Sequence, residues 1–491
     1  MPRLCTRTLP ELSPGVGFPT YDRGAVSIGI VHLGIGAFHR AHLAVYIDQL
    51  LATDPQWGIA GASLRRPDTS TALTPQDGLY TVAVRDARGT RCQVIGSIVD
   101  LLDANTERAR LIDLMASPGV RIVSLTVTEK GYCHDPATGR LDEKHPDIVH
   151  DLAHPEAPIS APGLIVAAIE RRRMSGAPPL TVMSCDNLPS NGKTTARIIT
   201  RLAELHSLAL GSHVRTRVAF PSTMVDRIVP ATTDADRLAV AAIIGLDDAW
   251  PVMTEPFTQF VIEDHFASGR PDFAGAGAQL VADVEPFERM KLRMLNGSHS
   301  TLAYLGYLAG HQYVAEVMQS PDFIRLVHGM MTTEVIPTLH VPGTDLGRYR
   351  DDLIRRFANP ALQHRTWQIA MDGSQKLPQR LLGTIRDRLA TGASIQRLSL
   401  GVAAWMRYVT GIDEKDAPID VKDPLAARLR AIADRAGRDP VRLAVGLLAL
   451  KEIFGVDLAQ SEVFRETVTA HLKSLFDHGS AATVAALVTK A

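Results

Sequence analysis

The stretch Ser27-Ile28-Gly29-Ile30-Val31-His32-Leu33-Gly34-Ile35-Gly36-Ala37-Phe38-His39-Arg40-Ala41-His42 decides the fold. From Ser27 to Gly34 an apolar run rich in Ile and Val ends in glycines, and a helical pattern follows from about Ala41 to Leu51. That is a strand, a tight turn and a helix. Gly34 permits the tight turn. Gly36 lets a pyrophosphate approach the backbone where the next helix begins, because unpaired N–H groups and the helix dipole favour an anion there. The third glycine of the usual fingerprint is absent, so the turn taken alone also fits a generic strand-to-helix connection. Its place at the close of the first strand favours a dinucleotide site, with Gly34, Gly36 and Phe38 as cofactor contacts.

Outward from this turn, strands are expected at Trp57 to Leu64, Arg121 to Val127, Leu180 to Ser184 and Val214 to Phe220, with helical patterns between several of them. Such alternation predicts a parallel, doubly wound sheet. Leu79 to Arg85 and Cys92 to Ile98 alternate in polarity across Asp86 to Arg91, which reads as an antiparallel hairpin inserted into that sheet. After about Pro286 helical periodicity runs almost throughout. A chain of 491 residues is too long for one core, and the texture change divides it into an α/β dinucleotide-binding domain over 1–285 and a mostly α-helical C-terminal domain over 286–491.

Composition narrows the function. With 52 basic and 53 acidic residues the formal charge is −1, which leaves no electrostatic footprint for nucleic acid. Arg171-Arg172-Arg173 reads as a solvated helix end. Met1 to Pro19 carries prolines and charges where a secretory signal needs an apolar run, and no stretch of 18 apolar residues occurs later. The expectation is a cytoplasmic protein with no membrane partner. Cys5, Cys92, Cys133 and Cys185 are widely spaced, and the sequence has no C-x-x-C pair, no tight Cys/His cluster and no H-E-x-x-H. Neither a disulfide framework nor a zinc site is encoded, no metal is expected, and redox chemistry must come from an organic cofactor.

The second strand ends Ser63-Leu64-Arg65-Arg66-Pro67-Asp68. Asp68 can hold the ribose hydroxyls of NAD while Arg65 stacks on adenine, but two arginines equally welcome the 2′-phosphate of NADP. Thr128 and Glu129, within Thr126-Val127-Thr128-Glu129-Lys130-Gly131-Tyr132, stand at the C-terminal edge of another parallel strand, where such sheets place ligands. They read as nicotinamide-side contacts or as a polar strand-end cap.

Two further stretches carry chemistry. In Ser184-Cys185-Asp186-Asn187-Leu188-Pro189-Ser190-Asn191-Gly192-Lys193 an apolar strand gives way to more polar side chains than one helix cap requires, ahead of a helix expected near Thr194. In Glu285-Pro286-Phe287-Glu288-Arg289-Met290-Lys291-Leu292-Arg293-Met294-Leu295-Asn296-Gly297-Ser298-His299-Ser300, an α-helix would set Glu288, His299 and Asn296 roughly 60°, 80° and 140° from Lys291. A lysine, a carboxylate, an amide and an imidazole among leucines on a buried face are costly unless they bind something or one another. They form either a reactive site or a hydrogen-bonded network fastening the domains. A lysine can take the proton of an alcohol if its surroundings lower its basicity, and amides can steady the developing alkoxide. Lys291 with Asn296 and Asn187 would fill those roles.

The segments G-I-G-A-F-H-R-A-H, P-Q-D-G-L-Y-T, S-C-D-N-L-P-S-N-G and M-K-L-R-M-L-N-G-S-H-S, in this order over nearly the whole chain, together resemble the mannitol dehydrogenase family of polyol-specific long-chain dehydrogenases. The resemblance implies an N-terminal Rossmann-type domain, a helical C-terminal domain and NAD as cofactor, with NADP not excluded. It also implies Lys291 as general acid/base, Asn187 and Asn296 as the oxyanion-stabilising pair, His299 as a substrate-positioning group and Glu288 as a proton relay. Asp226, in Met224-Val225-Asp226-Arg227-Ile228, matches a substrate contact of the family. Lys376, in Asp372-Gly373-Ser374-Gln375-Lys376-Leu377-Pro378, matches another motif of the site, and Arg365 is a further candidate. The partner is then a small polyol or aldonate. Within the family, D-mannitol/D-fructose and D-mannonate/D-fructuronate are the main pairs, and His299 to Gly310 looks more like the hexuronate-reducing branch. Family members are commonly monomeric, while the sequence leaves assembly open. A regulator that has lost its chemistry would have no need for Lys291 beside two amides, and the sequence offers a zinc alcohol dehydrogenase no ligands.

Overall fold

In the computed structural model, which describes residues 1–135, 138–361 and 363–489, the opening apolar run is strand β1, Ile28–Leu33. It is followed by β2 (Gly58–Ser63), β3 (Ile98–Asp103), β4 (Ile122–Leu125) and β5 (Thr181–Ser184). These strands form one sheet in the order β3-β2-β1-β4-β5, and every neighbouring pair is parallel. Successive residues of β1 serve opposite faces. Val31 and Leu33 pack with Leu111, Ile112, Leu164 and Ile165, whereas Ile30 packs with Leu43 and Ile47. A strand covered on both sides reads as a nearly unbroken apolar run, and each fully buried aliphatic side chain contributes about 1.5–3 kcal/mol. The chain grows outward from β1 to β3 and then crosses to β4, so strand order reverses between β1 and β4, the place where such sheets bind ligands.

Several boundaries differ from expectation. Tyr80–Asp86 does pair antiparallel with Gly89–Ile95, but in a separate three-stranded sheet with Val252–Thr254 rather than within the parallel one. Residues from Ile98 on leave the hairpin and become β3. The Gly96 N–H donates to Asp48 (2.8 Å) and the Ser97 hydroxyl to the Ala44 carbonyl (2.7 Å), which turns the chain there. Val214 to Phe220 is not a strand. Helix Leu208–Arg217 covers its first half, with Ser207 accepting the Leu210 N–H and with Leu210 and Val214, one helical turn apart, both buried. Only Ala219 bridges to Thr181. The first helical stretch is two helices, Ala37–Ala41 and Leu43–Leu50, broken at His42.

The chain forms two compact units, Met1–Glu285 and Pro286–Ala491. In the second, helix Gly297–Leu308 is buried at every residue but Tyr307, including the polar Ser298, His299, Ser300 and Thr301. Helix Gln396–Tyr408 approaches it through Gly401, where a Cβ would lie 2.6 Å from Thr301 Oγ1. Among the described residues no helix is long and apolar enough to cross a membrane.

One buried feature has no counterpart in the pattern reading. His32 on β1 and His39 on the first helix are both 0% exposed, with their rings stacked at 3.4 Å. Burial pushes His32 down to about 3 and His39 well below the ordinary histidine range. Both are therefore neutral in the fold but take up a proton on unfolding once the pH drops below about 6.5. Stability is then full above that pH and declines below it, by about 1.4 kcal/mol per pH unit for each such group. His39→Leu keeps the apolar stacking and removes one of these groups. Its urea midpoint is expected to fall less between pH 7 and pH 5 than that of the parent, and an identical fall would exclude a contribution from His39.

Candidate active site

The glycine turn after β1 is built by the close approach of two strand ends. Gly34 has φ +96°, and a Cβ on it would lie 2.3 Å from the Thr126 carbonyl just beyond β4, so only glycine fits. Gly36 is different. A Cβ there would meet nothing but the Gly34 carbonyl, at 4.0 Å. The space left open is solvent-side, not filled by protein, which suits a pyrophosphate lying against the backbone. Phe38 is half-buried and stacks on His42 at 5.0 Å. Arg65 and Asp68 are exposed beyond the end of β2, Asp68 opening the short helix Asp68–Leu73.

Thr128 and Glu129 are exposed at the end of β4. Thr128 has φ +65°, a strained value for a β-branched residue. It is held there by Asp186, whose carboxylate accepts the Val127 N–H (3.0 Å), the Thr128 N–H (3.0 Å) and the Tyr132 hydroxyl (2.9 Å). Burial pushes Asp186 up, and these donors pull it back. Asn191 completes the frame. Its amide donates to the Asp186 carbonyl (3.1 Å) and the Thr223 carbonyl (3.0 Å), and its oxygen accepts the Thr223 N–H (2.9 Å). Asn187 is thus exposed on a short loop fixed at both ends. The loop is not a side-chain cap: helix Asn191–His206 begins earlier than expected, after Ser190 in a left-handed conformation with no capping side chain. Asp226 is 4% exposed and ends strand β6, Thr223–Asp226, whose Thr223 hydroxyl donates to the Ser184 carbonyl (2.6 Å) at the end of β5.

In the helical unit, Lys291–Asn296 is a π-helical segment, so the α-helical angles expected for this stretch do not hold. Closing each backbone ring at the fifth residue narrows the angle between positions five apart, and Lys291 and Asn296 are such a pair. One-turn π segments recur at functional sites. Lys291 and His299 are buried, and Glu288 and Asn296 are half-buried. Arg293 in the same turn donates to Thr338 Oγ1 (2.8 Å) and Asp387 (2.6 Å). Gly297, which follows, sits where a Cβ would be 2.7 Å from the Arg380 carbonyl. The His299 ring lies 4.6 Å from Phe357 and 4.9 Å, edge-on, from His364. Burial, then His364, Arg356 and Arg380 drive His299 well below its ordinary value, and burial holds His364 down to about 4. Both imidazoles are therefore neutral hydrogen-bonding groups near pH 7. Arg380 donates to the Ser300 hydroxyl (3.0 Å). Lys376 donates to the Met371 carbonyl (2.6 Å), and Arg365 is exposed at the start of helix Thr366–Ala370.

Two family models divide the chain between them, the mannitol dehydrogenase Rossmann domain over residues 28–275 and the mannitol dehydrogenase C-terminal domain over 283–476. The chain belongs to the mannitol dehydrogenase family. It is 47% identical to the D-mannonate oxidoreductase of Escherichia coli, over 98% of this chain and 100% of that one. It is 43% identical to the mannitol 2-dehydrogenase of Aspergillus fumigatus, over 97% of each chain. Its fold matches the Pseudomonas fluorescens mannitol 2-dehydrogenase, solved as a ternary complex with NAD and D-mannitol, at a TM-score of 0.88, with 41% identity over 100% of both chains. As a member of this family it is an oxidoreductase acting on CH–OH groups.

In this mannitol dehydrogenase family member, His32, Tyr132, Asp186 and Asn191 are framing residues whose role no local motif discloses. A histidine inside an apolar strand and an aspartate beside Asn187 were visible signals, but their partners lie tens of residues away. The fold also gathers Cys133, His145 and Asp147, whose potential ligand atoms lie within 4.8 Å of one another, a proximity that their spacing did not announce. His145 caps a helix by accepting the Asp147 N–H (3.2 Å), and burial pushes the Cys133 thiol up to about 12. The Asp186 carboxylate is the more consequential acceptor. Asp186→Ala leaves two N–H groups and a hydroxyl without it, and is expected to cost about 2–3 kcal/mol in chemical denaturation. A loss below 0.5 kcal/mol would mean that water replaces it, on the scale of an inconsequential surface change.

Proposed function

We propose that the protein interconverts the C2 secondary alcohol of D-mannonate and the ketone of D-fructuronate, acting as a fructuronate reductase with NAD. The observation that carries the substrate is the positive surroundings of His299, where the charges of Arg356 and Arg380 add to burial in keeping the imidazole neutral. Cations at a candidate substrate-positioning residue suit a substrate that carries a carboxylate. The identity to the D-mannonate oxidoreductase supports the same choice. A second reading, D-mannitol and D-fructose, is favoured by the match along the full length of the mannitol 2-dehydrogenase solved with NAD and D-mannitol.

In this reading the dinucleotide supplies the hydride acceptor or donor. The turn at Gly34 and Gly36, with Phe38, Arg65, Asp68, Thr128 and Glu129, would hold it, and the open space at Gly36 fits that role. Lys291 takes the hydroxyl proton during oxidation and returns it during reduction. To do so at neutral pH it must be less basic than a free lysine, as burial favours. The carboxamide N–H groups of Asn187 and Asn296 donate to the reacting oxygen, and their alignment before reaction stabilises its developing charge. Glu288 passes the proton onward, and His299, Asp226, Lys376 and Arg365 bind the remaining hydroxyls or the carboxylate. The absence of a membrane-crossing helix among the described residues is compatible with work in the cytoplasm.

With NADH, the purified protein is expected to reduce fructuronate at a kcat/KM at least tenfold above that for fructose, the worth of one good ionic contact. The opposite ranking assigns it to the polyol pair. Lys291→Ala is expected to lower kcat by 10² or more, the usual contribution of a general base, with NADH affinity in fluorescence titration within threefold of the parent. Full turnover in that variant would remove Lys291 from the chemistry.

A further inference from the structure

His32 is fully buried one residue before the end of β1 and makes three hydrogen bonds. Its Nδ1 lies 2.8 Å from the Ser124 hydroxyl, and its Nε2 lies 3.1 Å from the Gly34 carbonyl and 2.8 Å from the Thr126 hydroxyl. A carbonyl oxygen has no proton to give, so the nitrogen facing Gly34 must carry the hydrogen, and Nδ1 must accept the proton of Ser124. The ring is therefore neutral and held in one tautomer. The Thr126 hydroxyl (2.7 Å) and the Gly36 N–H (2.7 Å) donate to the same Gly34 carbonyl. His39 lies flat on the His32 ring, 12° from parallel, and fixes the ring plane from the helix that follows the turn.

The Gly34 carbonyl and the Ile35 N–H belong to one planar peptide unit and point in opposite directions when it is trans. Among the described residues there are no cis peptide bonds. A carbonyl drawn toward His32 and Thr126 therefore turns the Ile35 N–H away from them, and the neighbouring Gly36 is exposed. We propose that His32, with Thr126, is a positioning residue for dinucleotide binding: it sets the orientation of the Gly34–Ile35 peptide and so presents the Ile35 N–H to the pyrophosphate. This rests on the cofactor reading given above.

The test measures NADH affinity by fluorescence titration, together with KM for NADH and kcat, on the full chain. The variants are His32→Leu, which fills the space without a donor, His32→Gln, whose amide can still donate toward Gly34, Thr126→Val and Thr126→Ser. Loss of a donor aimed at a charged group is expected to weaken NADH binding about 10- to 100-fold in His32→Leu. The loss should appear in KM far more than in kcat, and His32→Gln and Thr126→Ser should stay within about threefold of the parent. A purely structural histidine would lower the melting temperature without this split and without rescue by glutamine. If His32→Leu does not fold, Thr126→Val at its half-buried position decides, and unchanged NADH affinity there overturns the proposal. Unchanged affinity in a folded His32→Leu overturns it equally. A parent protein that fails to bind NADH strikes the cofactor reading instead.

Discussion

The ends of β1 and β4 come so close that no side chain fits between Gly34 and the Thr126 carbonyl. That approach follows from parallel pairing of the two strands up to Leu33 and Leu125, and it fixes the edge at which strand order reverses. A turn this tight exposes backbone N–H groups on one side and must satisfy its carbonyls on the other. His32, Thr126 and Gly36 do so at Gly34. The glycine turn is therefore a consequence of how two strands end and of a polar cluster beneath them.

The same logic extends along the edge. Asp186 ties the end of β5 to the end of β4, and Asn191 ties the following helix to β6. Buried polar groups stabilise a fold only when partnered, and these are partnered with backbone from neighbouring elements. The strained backbone of Thr128 persists because Asp186 holds it. Exposed residues such as Asn187 and Glu129 thus project from a frame more rigid than their loop character suggests.

In the helical unit the equivalent constraint is the π turn at Lys291–Asn296. Another π segment, Pro378–Leu382, contains the Arg380 whose carbonyl Gly297 must admit. Arg293, held by Asp387 and Thr338, braces the turn from within. A widened turn gives up good α-helical hydrogen bonding, and such a loss persists where the surrounding packing supports it. Here that packing is the buried helix Gly297–Leu308.

The sequence by itself determined the parallel sheet, the glycine turn and the helical second half, and it marked Lys291, Asn187, Asn296 and His299 as candidates, because these readings depend on periodicity, on glycine's freedom and on short motifs carried in one stretch of chain. Tertiary structure alone decided that Tyr80–Ile95 joins a separate sheet, that Val214 to Arg217 ends a helix, that Lys291 sits in a π turn, and that His32 and Asp186 frame the ends of β1, β4 and β5. The physical reason is the same in each case. A hydrogen bond between residues 92 apart, as between His32 and Ser124, or a helix widened to fit its neighbours leaves no trace in local pattern, since the energy that selects it comes from partners that only folding brings within reach.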